Sequence, residues 1–234
     1  MSKILTPEKK RGSSVDFLCE HLQNGIFVGR FAPGQRLIER DLIEEFGLSR
    51  GPVREAFHRL SADGLVDLIP HRGAIVRRLL RQEVQDLFQI RESLEGLAAG
   101  LAAKNINQGQ NRKLFTKVWK QACLSKKTMQ WNLFMENNQL FHKTIVEISN
   151  NNQLYELVEK LRLVVVMFQV GKSMHFDQMI KSNEDHKEIA EAILDGDEIK
   201  AQRAMSNHVR NSHRWIDTLP ESVFKPKLAL NSAG

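Results

Sequence analysis

Hydrophobic positions in the first third of the chain recur at helical spacing and predict three short helices. The first covers residues 13–28, the second covers residues 39–46, and the third begins after Ser49 and ends at Asp63. Gly47 gives the second helix a left-handed stop, so the third follows through a very short turn. The first helix buries one apolar stripe, formed by Val15, Leu18, Cys19, Leu22 and Ile26. This arrangement predicts a helix-turn-helix.

After the third helix the pattern changes to short runs typical of strands. Residues 65–69 and 74–77 are predicted as two strands, joined by a turn at residues 70–73 that carries His71 and Arg72 outward. Two strands closed by a basic turn form a β-wing. We therefore predict an N-terminal winged helix-turn-helix of three helices plus a small β-wing.

One edge of the third helix carries basic side chains. Arg50, Arg54 and His58 follow one another at intervals of four, which stacks them along a single exposed edge. Charged helix residues usually form a solvated face, but this helix is the one that enters a major groove in a helix-turn-helix. Since an arginine fork can bind two phosphate oxygens or O6 and N7 of guanine, DNA contact is expected.

The rest of the chain reads as a helical bundle, so the fold class is mainly α. Strand patterns stop after residue 77 and no proline occurs before Pro220. Asparagines at residues 150–152 and the run Asp195-Gly196-Asp197 are the clearest breaks. About six helices are predicted, at residues 81–104, 111–124, 127–149, 152–172, 177–194 and 197–219.

Length and composition allow two domains. The chain has 234 residues, of which 41% are hydrophobic, enough for one small and one medium core. We expect a DNA-binding domain at residues 13–78 and an all-helical domain at residues 82–217, with a hinge around residues 77–82. Residues 1–12 and 218–234 are expected to be flexible tails.

Overall charge and the termini narrow the class of protein. The net charge is +6, but residues 1–80 contain 13 basic and 10 acidic side chains, a net of only +3. Arginine placement is therefore the stronger evidence for a polyanion partner. Because there is no leader-like segment or long apolar run, and the two cysteines imply no disulfide framework, we expect a cytoplasmic protein without a membrane partner.

Three histidines of the bundle lie on apolar stripes of separate predicted helices. They are His142, His186 and His208, and Asn138 precedes His142 by one turn. A single histidine on such a stripe is usually a hydrogen-bonded core residue. Three of them with an amide oxygen favour a divalent metal site, and this donor set suits Zn²⁺, with Ni²⁺ or another first-row ion also fitting.

The first half of the chain resembles a known family. The segment PGQRLIERDLIEEFGLSRGPVREAFHRLSADGLV is similar to the N-terminal domain of GntR-type bacterial transcription regulators. Gly51 stands where many members have a hydroxyl residue, which removes one side-chain phosphate contact. The DNA-binding positions that the resemblance implies are Arg40, Arg50, Gly51, Arg54 and His71, with Gly73 shaping the wing.

The second half resembles the all-helical FCD effector domain of the FadR subgroup of these regulators. The likeness rests on IRESLEGLAAGLAA, NQLFHKTIVEISNN and EDHKEIAEAILDGDEIKAQRAMSNHV. Many members place an Asp or Asn and three histidines around a divalent metal, whereas some bind no metal. The matching positions are Asn138, His142, His186 and His208. The neutral Asn138 removes one negative charge from the site, a charge that an acidic effector could supply.

Arg91 has two interpretations. It is partly inward on a helix expected to bury Leu97, Ala98 and Leu101, where it could pair with Glu95 one turn later. Alternatively, as the resemblance supports, its guanidinium binds the carboxylate of an effector whose other atoms bind the metal. Hydroxy acids, dicarboxylates and sugar acids form the expected class of effector.

Together these features predict a transcription regulator that is not an enzyme. The helical domain would form a homodimer that sets the separation of two winged domains on a double-stranded DNA operator, and a small organic acid would favour one arrangement. One alternative is a metalloregulator that senses the ion itself. Another is a metal-dependent enzyme with an appended DNA-binding domain, against which Glu147 and Glu188 are expected to face solvent and no phosphate loop or nucleophile elbow occurs.

Overall fold

Two separately packed units make up the described part of the chain. The computed structural model describes residues 11–27, 29–70, 72–125, 131–161 and 173–224. The first unit runs to Leu80 and includes residues 220–224. The second consists of Arg81–Leu161 and Ser173–Leu219, so the division falls between the two predicted domains.

The first unit is a three-helix domain with a three-stranded sheet. Its elements are α1 (Arg11–Phe27), β1 (Arg36–Leu37), α2 (Glu39–Phe46), α3 (Arg50–Ala62), β2 (Val66–Ile69) and β3 (Gly73–Val76). The predicted helices and both predicted strands are present within about two residues. The winged helix-turn-helix prediction is therefore confirmed.

The short turn between α2 and α3 depends on Gly47, which adopts a left-handed conformation with φ of 62° and ends α2. Ser49 occupies the N-cap position of α3 as expected, but its side chain makes no capping hydrogen bond. The core beneath the turn joins α1 to α3 and is fully buried, with Leu18, Leu22, Ile26, Val53, Ala56, Phe57 and Leu60 as its members.

The wing contains one strand that the sequence did not predict. The strand order is β1-β3-β2 and all pairs are antiparallel, with Leu37 of β1 opposite Ala74. β1 has two residues, too few for a periodic signal. Arg36 donates from Nε and Nη2 to the carbonyl of Arg72, at 3.1 and 2.9 Å, and so fastens the wing turn to β1.

The second unit is all-helical. Its helices are α4 (Arg81–Asn105), α5 (Asn111–Ser125), α6 (Trp131–Ile148), α7 (Asn152–Lys160), α8 (Phe176–Asp195) and α9 (Glu198–Asp217). These match the six predicted helices, although the last part of the fourth, at residues 162–172, lies outside the described residues. Asn151 caps α7 and Asp197 caps α9 through side-chain oxygens, which explains why both segments are helix breaks.

α4 is the central helix and packs against α6, α8 and α9. Two glycines allow its close approach to α9, since a Cβ at Gly96 would lie 2.4 Å from Ser206 Oγ and one at Gly100 would lie 3.2 Å from the carbonyl oxygen of Glu198. The expectation that Leu97 is buried is wrong, because 43% of it is exposed. α4 therefore has a small-residue face toward α9 and leaves a leucine-rich face uncovered.

Residues after α9 differ from the expected flexible tail. Glu221–Val223 forms a 3₁₀ turn and Phe224 is almost fully buried. Pro220 ends the helical pattern without ending the ordered chain. None of the helices in the described ranges is both long and apolar enough to cross a membrane.

Gly73 is expected to be the most sensitive position of the wing. Its φ is +93°, and a Cβ there would meet the carbonyl oxygen of Leu37 at 2.3 Å. Gly73→Ala should lower the free energy of unfolding by about 2–4 kcal/mol through strain and loss of β1 pairing. Gly51→Ala is the matched control, because its Cβ would meet nothing within 4 Å. Chemical denaturation measures both; an equal effect would contradict the role of Gly73.

Candidate DNA-binding surface and metal centre

The basic edge of α3 lies on the protein surface. Arg50, Arg54 and His58 are all exposed, whereas Val53, Phe57 and the other apolar positions of the helix are buried. Gly51 is also exposed, with open space where a side chain would stand. The arrangement leaves both the side chains and the first turn of the backbone accessible to a large partner.

Carboxylates hold two of the candidate arginines in place. Arg54 Nε lies 3.1 Å from both carboxylate oxygens of Glu39 at the start of α2, and Arg40 Nε lies 2.7 Å from Glu44 Oε1. Within the described ranges, Arg50 has no carboxylate partner. Exposed pairs of this kind contribute little stability, about 0–1 kcal/mol, so a DNA phosphate could displace them. They orient the arginines without sequestering them.

The N-terminus of α3 has the properties of an anion site. The first backbone amide groups of a helix have no hydrogen-bond acceptor within the helix. The Ser49 side chain does not accept a hydrogen bond from them here. Because Gly51 has no side chain, a phosphate could approach the backbone directly. Of the wing residues, His71 lies outside the described residues, while Arg72 is exposed beside Gly73.

The three predicted histidines converge inside the second unit. His142 comes from α6, His186 from α8 and His208 from α9, and their candidate ligand atoms all lie within 4.8 Å of one another. His186 is 1% exposed and His208 is 5% exposed. Three imidazoles on three helices thus share one buried point, as the apolar stripes predicted.

Two carboxylates orient two of these rings. His142 Nδ1 lies 2.6 Å from Glu95 Oε2, and His208 Nδ1 lies 3.2 Å from Asp185 Oδ2. A carboxylate that accepts from Nδ1 fixes the tautomer and leaves Nε2 with its lone pair available. His186 Nε2 is buried and has no hydrogen-bond partner in the described part of the chain. An unpaired buried ring nitrogen of this kind is costly unless a ligand binds it.

The electrostatics of the cluster favour a neutral ring at His186 and at His208. Burial lowers the pKa of His186 well below its ordinary value, and the neighbouring His208 and His142 lower it further. The pKa of His208 is also lowered, mainly by burial, although the Asp185 hydrogen bond partly opposes this. Neutral imidazole is the form that binds a metal ion, so His186 and His208 are already in the form that a metal needs.

Arg91 forms an ion pair with Glu95, as the first of its two interpretations predicts. Its Nε lies 2.7 Å from Glu95 Oε1 in a buried pair, and its guanidinium lies over the ring of Phe88. Burial alone would raise the pKa of Glu95, but Arg91 and His142 together hold it well below its ordinary value. Glu95 is therefore an anion that links Arg91 to the histidine cluster.

Two functional residues were missed by sequence reasoning. Glu95 was considered only as the partner of Arg91, and Asp185 was not considered at all. Asp185 directly precedes His186 in sequence, yet its hydrogen bond goes to His208 on the next helix. A carboxylate adjacent to a candidate ligand was the available signal. Glu147 and Glu188 are exposed, as expected.

The donor set fits a divalent first-row ion. Three imidazole nitrogen donors lie together, and Asn138 is one turn before His142 on the same face of α6. None of these four residues is a carboxylate. Glu95 and Asp185 supply two negative charges, each through a hydrogen bond to the Nδ1 atom of one of the histidines. Nitrogen donors with carboxylate support suit Zn²⁺ or Ni²⁺ better than Ca²⁺ or Mg²⁺.

Comparison with known proteins agrees with this division of the chain. Residues 15–76 match the model of bacterial regulatory proteins of the gntR family, and residues 86–211 match the FCD domain. The uncharacterized HTH-type transcriptional regulator YdhC of Bacillus subtilis is 32% identical over 177 residues, which cover 74% of this chain and 72% of the relative. The probable D-xylose utilization operon transcriptional repressor of Paenarthrobacter nicotinovorans is 28% identical and covers 89% of each chain.

Solved structures give the same fold. Escherichia coli McbR/YncC superposes with a TM-score of 0.74 at 20% identity, over 87% of this chain and 97% of that one. A putative GntR regulator from Rhodococcus gives 0.75 at 22% identity, over 89% and 100% of the two chains. The basic edge of α3 is exposed, the FCD match covers more than half of the chain, and the relatives are named as transcription regulators. This chain therefore belongs to the GntR family of transcription regulators that carry an FCD domain.

Proposed function

We propose that this regulator binds its operator as a homodimer, holds a divalent metal ion on His142, His186 and His208, and changes its operator affinity when a small organic acid binds at that metal. The observation that carries the metal proposal is the buried histidine cluster, in which His186 Nε2 is without a protein partner in the described ranges. Asn138 is the fourth proposed ligand.

The DNA-binding part of the proposal rests on α3 and the wing. The exposed edge of Arg50 and Arg54 and the uncapped first turn of α3 together offer a guanidinium fork and backbone amides to the duplex. Arg40 on α2 is exposed and could reach an adjacent phosphate. Gly73 and His71 belong to the wing, which would contact the neighbouring part of the duplex.

The homodimer part of the proposal rests on the uncovered face of α4. Five apolar residues follow one another at alternating intervals of three and four, and all are exposed or partly exposed: Leu87, Ile90, Leu94, Leu97 and Leu101. This is the spacing of a helix–helix seam, and it spans four turns. A second copy of the same helix offers an apolar stripe of equal length and spacing. We call this face the α4 seam.

A bound ion would supply a positive charge that attracts a carboxylate to an apolar interior. Arg91 is linked to the cluster by Glu95, to which it donates from Nε. The two terminal nitrogens of Arg91 could therefore bind the carboxylate of the acid that binds the ion. Such an acid would join α4, which bears the seam, to α6, α8 and α9. To switch occupancy it must prefer one dimer arrangement by a few kcal/mol, on the order of a hundredfold in affinity.

Arg54→Ala tests the DNA-binding surface. It should weaken binding to an operator selected by the wild-type protein from random duplexes by about 1–3 kcal/mol and reduce the salt dependence, because a charged contact is lost. Arg59→Ala is the control, since Arg59 lies on the same helix and is also exposed and ion-paired, but its position five residues after Arg54 places it off the edge formed by Arg50, Arg54 and His58. Fluorescence anisotropy measures both. Equal affinity of the Arg54 variant and the wild type would contradict the assignment.

His186→Ala tests the metal centre. Elemental analysis of the purified variant should show loss of the bound ion, while operator binding in the absence of acid persists. His175→Ala is the control, because His175 precedes α8 and is exposed. An unchanged metal content would end the ligand assignment. If removal of the ion from the wild type alone changes operator affinity, the metalloregulator alternative replaces the acid effector.

Leu97→Glu tests the α4 seam. The charge should prevent association, so analytical ultracentrifugation should detect monomers at concentrations where the wild type is a dimer; each buried leucine is worth about 1.5–3 kcal/mol. Leu157→Glu on α7 is the control, because that leucine is 51% exposed but lies outside the seam. A dimer that survives Leu97→Glu but not Leu157→Glu would place the interface elsewhere.

A further inference from the structure

A cavity with a mixed polar and apolar lining lies between α8 and α9, and one of its residues, Asp185, forms a hydrogen bond with His208 of the histidine cluster. Its volume is about 330 Å³, near the lower end of the range for small-molecule sites. Lys181, Ser182 and Asp185 line it from α8, and Asn211, Arg214 and Trp215 line it from α9. All of these residues belong to the second unit, so the cavity is formed within that unit alone.

Positive charge exceeds negative charge in this cavity, because Lys181 and Arg214 line it together with one carboxylate, Asp185. Within the described ranges, neither Lys181 nor Arg214 forms an ion pair with a carboxylate. Arg210, one turn before Arg214 on α9, is by contrast paired with Glu92. Lys181 acts on Asp185 only at longer range, where it helps to lower the pKa of that carboxyl. Two cations and one carboxylate leave the lining with a net positive charge, which favours an anionic ligand.

The remaining lining suits a ligand with several hydroxyl groups. Asp185 receives the hydrogen bonds of His208 and Asn211 on the same oxygen, Oδ2, at 3.2 and 3.3 Å. Its other oxygen, Oδ1, accepts no hydrogen bond from the described residues and can accept from a ligand hydroxyl. Trp215 adds an apolar indole surface against which the C–H face of a polyol can pack. Side-chain hydroxyl and amide groups complete the wall.

We propose that this cavity, which is distinct from the metal centre, binds a small polyhydroxylated carboxylate such as a sugar acid. Arg214 and Lys181 would bind the carboxylate of the ligand, and Trp215 would pack against its sugar ring. Asp185 would accept a hydrogen bond from one of its hydroxyl groups. Charge-assisted hydrogen bonds supply most of the selectivity over a neutral sugar.

Asp185 couples the cavity to the histidine cluster. A ligand hydroxyl that donates to Asp185 weakens the hydrogen bond from His208 Nδ1 and so makes the opposite ring nitrogen a poorer donor to a metal. Ligand and metal would then oppose each other, and by linkage each lowers the affinity of the other by the same factor. This coupling rests on the proposed metal site, whereas the ligand site does not.

Isothermal titration calorimetry of the full-length, chelator-treated protein with glucuronate tests the ligand site. One glucuronate per chain should bind, and glucose, acetate and inorganic phosphate should each bind about tenfold more weakly or not at all, because each lacks either the carboxylate or the hydroxyl groups. Arg214→Gln should weaken glucuronate binding about tenfold, whereas Arg210→Gln should leave it unchanged.

Three results would overturn the ligand site. They are no glucuronate binding to the chelator-treated protein, phosphate or acetate binding as tight as glucuronate, and equal affinity in the Arg214 variant. Binding that requires the metal would show that the acid sits on the histidine cluster; that result removes this proposal and leaves the proposed function intact.

The coupling has a separate readout. In the wild type, saturating glucuronate should lower Zn²⁺ affinity about tenfold, measured by competition with a chelating dye, and in the Arg214→Gln variant it should have no such effect. An unchanged Zn²⁺ affinity in the wild type would overturn the coupling. A protein that binds no Zn²⁺ at all would refute the metal proposal and the coupling with it, while the glucuronate titration would still decide the ligand site.

Discussion

The organisation of the FCD domain depends on two partly buried hydrogen bonds, each between a carboxylate and a histidine. Glu95 on α4 contacts His142 on α6, and Asp185 on α8 contacts His208 on α9. Each bond joins two helices and fixes the orientation of a ring at the same time. Burying a charged carboxylate costs free energy unless its hydrogen bonds have good geometry. These two hydrogen bonds therefore restrict where the histidine rings can lie.

The two carboxylates would also compensate for the neutral side chain of Asn138 in the proposed metal site. A site with four neutral ligands would leave the charge of a divalent ion uncompensated in an apolar interior. Glu95 and Asp185 each provide a negative charge through an imidazole, and Arg91 offsets part of the charge of Glu95. The electrostatic field at the cluster thus depends on residues outside the proposed set of metal ligands. Substitution of the outer residues of a metal site typically costs 10–100-fold in metal affinity.

The same helices give the domain two further surfaces. α4 presents small residues to α9 at Gly96 and Gly100, while its opposite side exposes Leu97 and the rest of the α4 seam. α9 contributes His208 to the cluster and Arg214 to the outer cavity. A ligand that alters the packing of α9 against α4 therefore acts on the helix that bears the proposed dimer contact. Domain motions in the dimer would follow from this shared helix.

The sequence was sufficient for the helices, the winged domain and the three converging histidines, since each depends on local periodicity and on turn residues such as Gly47. It was insufficient where a contact joins distant segments. β1 is too short for a periodic signal, and the role of Asp185 depends on the way α8 and α9 face each other. Leu97 was misassigned because periodicity identifies an apolar face but not the partner that covers it. Ser49 likewise occupies the predicted N-cap position of α3, but its side chain does not make the capping hydrogen bond to the backbone.

X-ray absorption spectroscopy at the K edge of the ion that copurifies with the protein tests the central claim most directly. The predicted result is a first coordination shell dominated by three imidazole nitrogens at about 2.0–2.1 Å, with the remaining ligands oxygen. A shell made of water oxygens alone, a shell that contains sulfur, or the absence of any ion from protein purified without chelators would contradict it.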